Sequence, residues 1–315
     1  MVNSLSLPVL LLVFVGATAL VWRAGIALST TTDSLDKHFK LGEALGGILI
    51  LAIITNLPEI AITVSTAINN KIELAVGNIL GGIALQTLVL VLLDAVGVGK
   101  QDTLTAKQSS LTPVLEGALV IAMLKLVVMG HQLPKDLVFA RLTPDSLLLV
   151  GTWIVGVWLT GKAHKGLFWQ TDTARNVSKK DAQFDKRSTD KTLLIFGLAA
   201  LATLAGGVAL EESGDVMSKK LGMDGVIIGS TVLAAATSLP EVSTGLASVR
   251  SKEYTLAISD IFGGNAFLPV LLVVATVISG KPVLPTAQKS DIYLTGLGML
   301  VTIPYLYGAL FWPKR

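Results

Sequence analysis

The sequence predicts an all-α polytopic membrane protein built from two inverted-topology repeats of about five transmembrane helices each. Three observations carry that expectation. The composition is apolar and poor in charge, one internal repeat holds its register across three spans, and an odd number of spans separates the repeat-related positions. The 315 residues are 52% hydrophobic and 15% charged, where soluble domains carry about 25% charged residues. There is no cysteine, which excludes disulfides, thiolate metal sites and cysteine nucleophiles.

Nine apolar segments are long enough to cross a hydrocarbon core of about 30 Å. They run over residues 5–28, 42–67, 72–96, 112–130, 145–161, 192–210, 222–248, 255–279 and 288–311. The connecting loops differ sharply in basic charge. Of 25 Lys and Arg, one set of alternate loops and tails holds 17 and the other holds 7, with Lys125 alone inside a span. The positive-inside rule then places the N-terminus outside and the segment 162–191 in the cytoplasm, in a bacterial-type inner (plasma) membrane. Residues 1–20 lack the basic n-region of a signal peptide, despite the small residues Ala17–Ala19, and are read as part of the first span.

A shift of 182 residues superposes the first three spans on the sixth to eighth without a gap. It carries Thr55, Leu57, Pro58 and Glu59 onto Thr237, Leu239, Pro240 and Glu241, and "GIAL" at Gly25 onto "GVAL" at Gly207. It also carries Gly81 and Gly82 onto Gly263 and Gly264. Five spans separate each matching pair, so the halves enter the membrane in opposite directions, as in many secondary transporters. The division is 1–161 for the first repeat, with its motif at 44–97, and 192–315 for the second, with about four spans and its motif at 226–279. The basic, polar segment 162–191 joins them, with a short amphipathic element expected at Leu167–Trp169.

Each half interrupts its second helix with proline. Proline removes a backbone N–H and frees a carbonyl one turn back, which in a membrane must face a partner or a cavity. Thr55 and Asn56 precede Pro58, Thr237 and Ser238 precede Pro240, and Glu59 and Glu241 follow. Carbonyls, hydroxyls and carboxylates within one turn make an all-oxygen donor set that suits a hard cation such as Ca²⁺ or Na⁺. Asn78, Gly82 and Gln86 share one helical face, as do their equivalents Asp260, Gly264 and Leu268. The candidate cation ligands are therefore Glu59, Glu241, Asp260, Thr55, Thr237, Ser238, Asn78 and Gln86. An intramembrane carboxylate is a functional candidate by default. The paired glycines have an equally good structural reason, close helix packing. Glu116 has no repeat partner and is expected to pair with a base.

The two "T-x-LPE" motifs, each followed about 18 residues later by "G/S-N/D-I-x-GG", resemble the two alpha-repeats of the calcium/cation antiporter superfamily. That superfamily includes sodium/calcium and calcium/proton exchangers. The resemblance implies ions bound at mid-membrane between the second, third, seventh and eighth spans, with the first and sixth spans sliding across them. It implies that Glu59 and Glu241 are the central carboxylates and that Thr55, Thr237 and Ser238 lend oxygens. The chain departs from the sodium/calcium exchanger pattern at Gly82 and Gly264, where serine is usual, at Ile83, and at Gln86 and Leu268. It carries instead Asp260, expected one turn toward the outside. These departures bear on how many sodium ions bind and on whether Na⁺ is the coupling ion.

The function expected is secondary-active antiport of Ca²⁺ against Na⁺ or H⁺ by alternating access. The alternatives are monovalent Na⁺/H⁺ exchange on the same fold, or a passive cation channel. No P-loop spacing and no nucleophile–base pair is visible in the sequence, so neither an ATPase nor another enzyme is expected. No catalytic residue and no cofactor is assigned. The partners expected are inorganic cations and the bilayer, not nucleic acid, and the chain is expected to work as a monomer.

Overall fold

The structure is a computed structural model that describes residues 4–39, 53–98, 103–108, 110–134, 141–166 and 188–311. Its main helices are α1 (Leu7–Phe39), α2 (Leu57–Ile68), α3 (Ile72–Leu93), α4 (Thr112–His131), α5 (Pro144–Gly166), α6 (Thr189–Leu221), α7 (Gly225–Thr237), α8 (Leu239–Arg250), α9 (Tyr254–Phe267), α10 (Val270–Ser279) and α11 (Lys289–Phe311). Among the described residues, seven segments are long and apolar enough to cross a membrane, with α9 and α10 counted as one. The pair α7 and α8, bent by 40°, makes an eighth, and α2 is a shorter apolar helix. The start of the second expected span and the element at Leu167–Trp169 lie outside the described residues.

Contacts between helix ends define two faces. On the distal face, Gln288 Nε2 donates to Glu73 Oε1 at 2.9 Å, joining the starts of α11 and α3. Lys71, just before α3, meets Glu211 near the end of α6. On the linker face, the Leu104 N–H donates to Asp94 at the end of α3, and Thr105 lies against Gly308 near the end of α11. The chain leaves α5 and enters α6 on this linker face, and α1 begins on the distal one. Buried apolar side chains form two cores. Ile79, Ile83, Met123, Leu124, Phe262 and Leu272 fill the bundle of α3, α4, α9 and α10, while Leu10, Phe14, Val21, Leu210 and Met217 join α1 to α6.

The two helices α1 and α6 run to 33 residues each, past the ends expected near 28 and 210. In α1 the hydroxyls of the buried Thr31 and Thr32 donate to the carbonyls of Ala27 and Leu28, so these polar residues continue the helix with their hydroxyls satisfied. In α6 the continuation carries Glu211 and Asp215, which are neutralised by lysines.

The inverted repeat is visible down to single backbone groups. Asn56 and Ser238 stand at the breaks with φ,ψ of −99°, 23° and −83°, −2°. The backbone carbonyl of each accepts from the second amide beyond the proline, Ile60 at 3.0 Å and Val242 at 3.2 Å. The turns after α2 and α8 each place one residue in the left-handed region, Asn70 at φ 56° and Lys252 at φ 64°. The next amide in each turn then reaches back, Lys71 to Thr66 O and Glu253 to Ser248 O, both at 2.8 Å. These are helix-closing bonds that satisfy carbonyls left open at the helix end.

Glycines set the closest approaches. A Cβ on Gly25 would stand 2.6 Å from Pro240, and one on Gly207 would stand 3.0 Å from Pro58 O. Each long helix thus presents its repeat-related glycine to the broken helix of the other half. Gly77 and Gly81, spaced as a small-residue face, press on Val226 and Ser230. A Cβ on Gly81 would fall 2.3 Å from Ser230 Cα, whereas Gly151 has nothing within 4 Å. Gly81→Ala is therefore expected to destabilise the fold by about 1–3 kcal/mol, the usual cost of overpacking, and to lower the thermal midpoint in detergent. Gly151→Ala is expected to leave that midpoint unchanged or raise it slightly.

Candidate cation site between the broken helices

The proline breaks point α2 and α8 at one another from opposite halves. Between them lies a small cavity of about 30 Å³, lined by Thr55, Asn56, Pro58, Gln86, Pro240, Glu241, Thr244, Asp260 and Gly264, with Gly25, Leu28 and Ser29 of α1 closing one wall. That volume holds a water or two, or one bare cation with a ligand. Glu59 lies just behind the wall, with 1% exposure, and Gln86 Nε2 donates to its Oε1 at 3.4 Å. Glu59 and Glu241 are near enough for their charges to repel. Among the described residues, Oε2 of each is buried without a hydrogen-bond partner. Two carboxylates cannot both stay ionised and unpaired in so apolar a setting, so a cation or protons must neutralise them.

The structure separates the candidate ligands by position. Thr55, Gln86, Glu241 and Asp260 meet in the cavity wall. Thr237 reaches Glu59 while its hydroxyl also lies 3.2 Å from Ala234 O. Ser238 is outside the wall, with its hydroxyl donated to Ala234 O at 2.7 Å. Asn78 is also outside it, fully buried at the α3–α7 contact, with neither amide atom hydrogen-bonded.

Asp260 lies on the linker side of Glu241, the side opposite to the one expected when the linker is taken as cytoplasmic. The inversion explains this: α9 starts on the linker face, so a residue earlier in the helix is nearer that face. Thr244, one turn past Glu241, donates to Asp260 Oδ2 at 3.3 Å. Sequence reasoning passed over Thr244, although its spacing from Glu241 puts it on the same helical face. Asn56 was noted only for its place before Pro58, yet its amide stands 3.5 Å from where a Gly264 Cβ would be, so the glycine makes room for it. Asn265 is held by structure instead, donating to Ile83 O and Thr87 Oγ1. Glu116 pairs with the Ser259 side chain on α9, and no base stands beside it among the described residues.

Two inverted halves, each with a broken helix that brings a glutamate into or just behind the wall of one small cavity, define an ion-coupled secondary transporter. The family profile described as sodium/calcium exchanger protein matches residues 9–161 and 191–314, and the chain belongs to that family of cation antiporters. It is 25% identical over 289 residues to a protein named putative antiporter CaxA from Alkalimonas amylolytica, covering 90% of this chain and 84% of that one. It is 24% identical over 307 residues to the inner membrane protein YrbG of Escherichia coli (strain K12), covering 97% and 87%. The fold is similar to that of the H⁺/Ca²⁺ exchanger CAX (TM-score 0.66, 12% identity, 95% and 88% covered). It is also similar to that of the sodium-calcium exchanger NCX_Mj (TM-score 0.59, 17% identity, 98% and 92% covered).

Position in the cavity separates two equally buried amides. Gln86→Leu removes a hydrogen bond to a carboxylate, a contact worth about 1.5–3 kcal/mol, and is expected to weaken cation binding by roughly tenfold or more. Asn78→Leu, of similar shape and outside the wall, is expected to change it by less than about threefold. Calorimetric titration of the purified protein with Ca²⁺ and Na⁺ measures both.

Proposed function

We propose that this chain exchanges Ca²⁺ for Na⁺ or H⁺ across the membrane by alternating access to the Glu59–Glu241 site. The observation that carries the reading is the pair of carboxylates from opposite halves, each with one oxygen buried and without a partner among the described residues. Glu59, Glu241 and Asp260 supply charge, while Thr55, Gln86, Thr237 and Thr244 supply neutral oxygens. This set takes one divalent cation, or monovalent cations and protons in its place, because all compete for the same oxygens. An empty site with every carboxylate ionised is too costly to carry through the apolar barrier, so transport is obligatory exchange and not leak. A single chain supplies both halves of the site, which supports a monomer as the working unit. The basic linker face is assigned to the cytoplasm, in an inner membrane.

A second reading, monovalent Na⁺/H⁺ exchange, is favoured by one feature. Leu268 occupies a ligand position by the repeat, while Gly82 and Gly264 offer no hydroxyl, so fewer oxygens surround the cation than the eight a Ca²⁺ ion can take.

Counterflow in proteoliposomes tests the exchange. Unlabelled ion trapped inside is expected to accelerate uptake of labelled ion, and equal flux with and without it identifies a channel. Ion replacement across Ca²⁺, Na⁺, K⁺ and pH gradients separates the two exchange readings. Glu59→Gln and Glu241→Gln are each expected to abolish exchange with the fold retained, and near-normal flux in either contradicts the site. Asp260→Asn is expected to shift ion selectivity or proton dependence, and unchanged selectivity places Asp260 outside the ion path.

A further inference from the structure

The two sides of the Glu59–Glu241 pair are built differently. The small cavity lies toward the linker face, with Ser29, Thr55 and Asp260 in its wall. On the distal face a much larger basin, about 1060 Å³, opens between the ends of α3, α6 and α11 but does not include Glu59. Between basin and Glu59 the α2 residues Thr63, Thr66 and Ala67 are all buried, at 1% exposure or less.

An ion cluster stands in the wall of that basin. Lys71, in the turn between α2 and α3, places Nζ 2.9 Å from Glu211 Oε1 and 3.1 Å from Asp215 Oδ2, both on α6. The Glu211 side chain has no exposed surface and takes a second hydrogen bond from Ser65 Oγ at 2.7 Å. Asp215 also holds Lys219 at 2.8 Å. Burial by itself lowers the pKa of Lys71. The hydrogen bonds and charges of Glu211 and Asp215 outweigh it and hold the value raised, so the lysine stays protonated. The cluster therefore ties α6 to the turn that connects both site-bearing helices of the first half. The 182-residue shift carries Glu211 onto Ser29 and Lys71 onto Glu253, so the same pair cannot form on the linker side. Ser29 instead lines the cavity there.

We propose that the Lys71–Glu211–Asp215 cluster is a latch that holds the site shut toward the distal face, and that it parts whenever the site is presented there. The proposal rests on the exchange reading above. A buried ion pair depends steeply on geometry, and losing one partner leaves an uncompensated charge. Here the basin offers water to the separated charges, which makes the opening reversible. Because Ser29 and Glu253, the repeat equivalents on the linker face, cannot form this pair, the latch biases the chain toward being open on the linker side.

The absence of cysteine allows single-cysteine reporters without background. Thr63→Cys reports the distal side, one turn beyond Glu59, and Ser29→Cys reports the linker-side cavity. Each is labelled with a membrane-impermeant maleimide from either face of oriented proteoliposomes. With the latch intact, Ser29→Cys is expected to react from the linker face and Thr63→Cys hardly at all. The neutral pair Lys71→Gln with Glu211→Gln keeps hydrogen-bonding groups and removes the ion pair. It is expected to raise distal labelling of Thr63→Cys by about tenfold, the shift given by a tenfold change in the ratio of the two states, and to lower linker-side labelling of Ser29→Cys. The swapped pair, Lys71→Glu with Glu211→Lys, is expected to restore the parent pattern. Unchanged labelling in the neutral pair, or a swapped pair that labels like the neutral one, overturns the latch. Labelling needs no ion flux, so a failed counterflow experiment would remove the exchange reading while leaving this result to be read by itself.

Discussion

Placing an acidic side chain at the centre of a bilayer costs roughly 3 kcal/mol even on insertion scales, and two placed together cost more through mutual repulsion. Glu59 and Glu241 accept that cost at the point where α2 and α8 meet. Much else follows from keeping them there. The proline breaks turn helix starts toward the cavity, and a helix start stabilises a carboxylate in its first turn. Gln86 and Thr237 bond to one glutamate, while Thr244 bonds to the nearby Asp260. Oε2 of each glutamate has no hydrogen-bond partner among the described residues. Gly25 and Gly207 let the long helices lie directly on the two prolines, closing lipid out of the site.

The two halves repeat in backbone and differ in charge. Equivalent residues break the helices, equivalent residues turn left-handed, and equivalent amides close the helix ends. Charge does not follow this symmetry. Asp260 lies on the linker side where its equivalent is Asn78, and the Lys71–Glu211 pair lies on the distal side where the equivalents are Glu253 and Ser29. Shape symmetry permits two related arrangements of one fold. Charge asymmetry makes them unequal in energy, and access to the site then depends on which is lower.

Part of the site was readable because membranes penalise polar groups so heavily. Pro58, Glu59, Pro240 and Glu241 stand out in apolar runs, and the repeat relates them at once. Helical spacing from Asn78 pointed to Gln86, which the cavity wall contains. The same spacing did not separate them, because Asn78 shares that face yet ends at the α3–α7 contact. Asp260 does line the cavity, but on the linker side of Glu241, since a residue's depth depends on which way its helix runs. The charged continuation of α6 was missed because Glu211 looks like a span end until Lys71 is seen beside it. These failures share one cause: each depends on a neighbour distant in sequence.

By itself the sequence determined the membrane class, the inverted repeat and the two acidic breaks. Those follow from local rules: hydrocarbon excludes charge, proline interrupts a helix, and a conserved register over an odd number of spans inverts direction. Only the tertiary structure decided which polar residues share a cavity, which glycines separate helices, and which face is closed by an ion pair. Burial and pairing are properties of contacts between helices, and a linear pattern specifies a helical face without naming what that face meets.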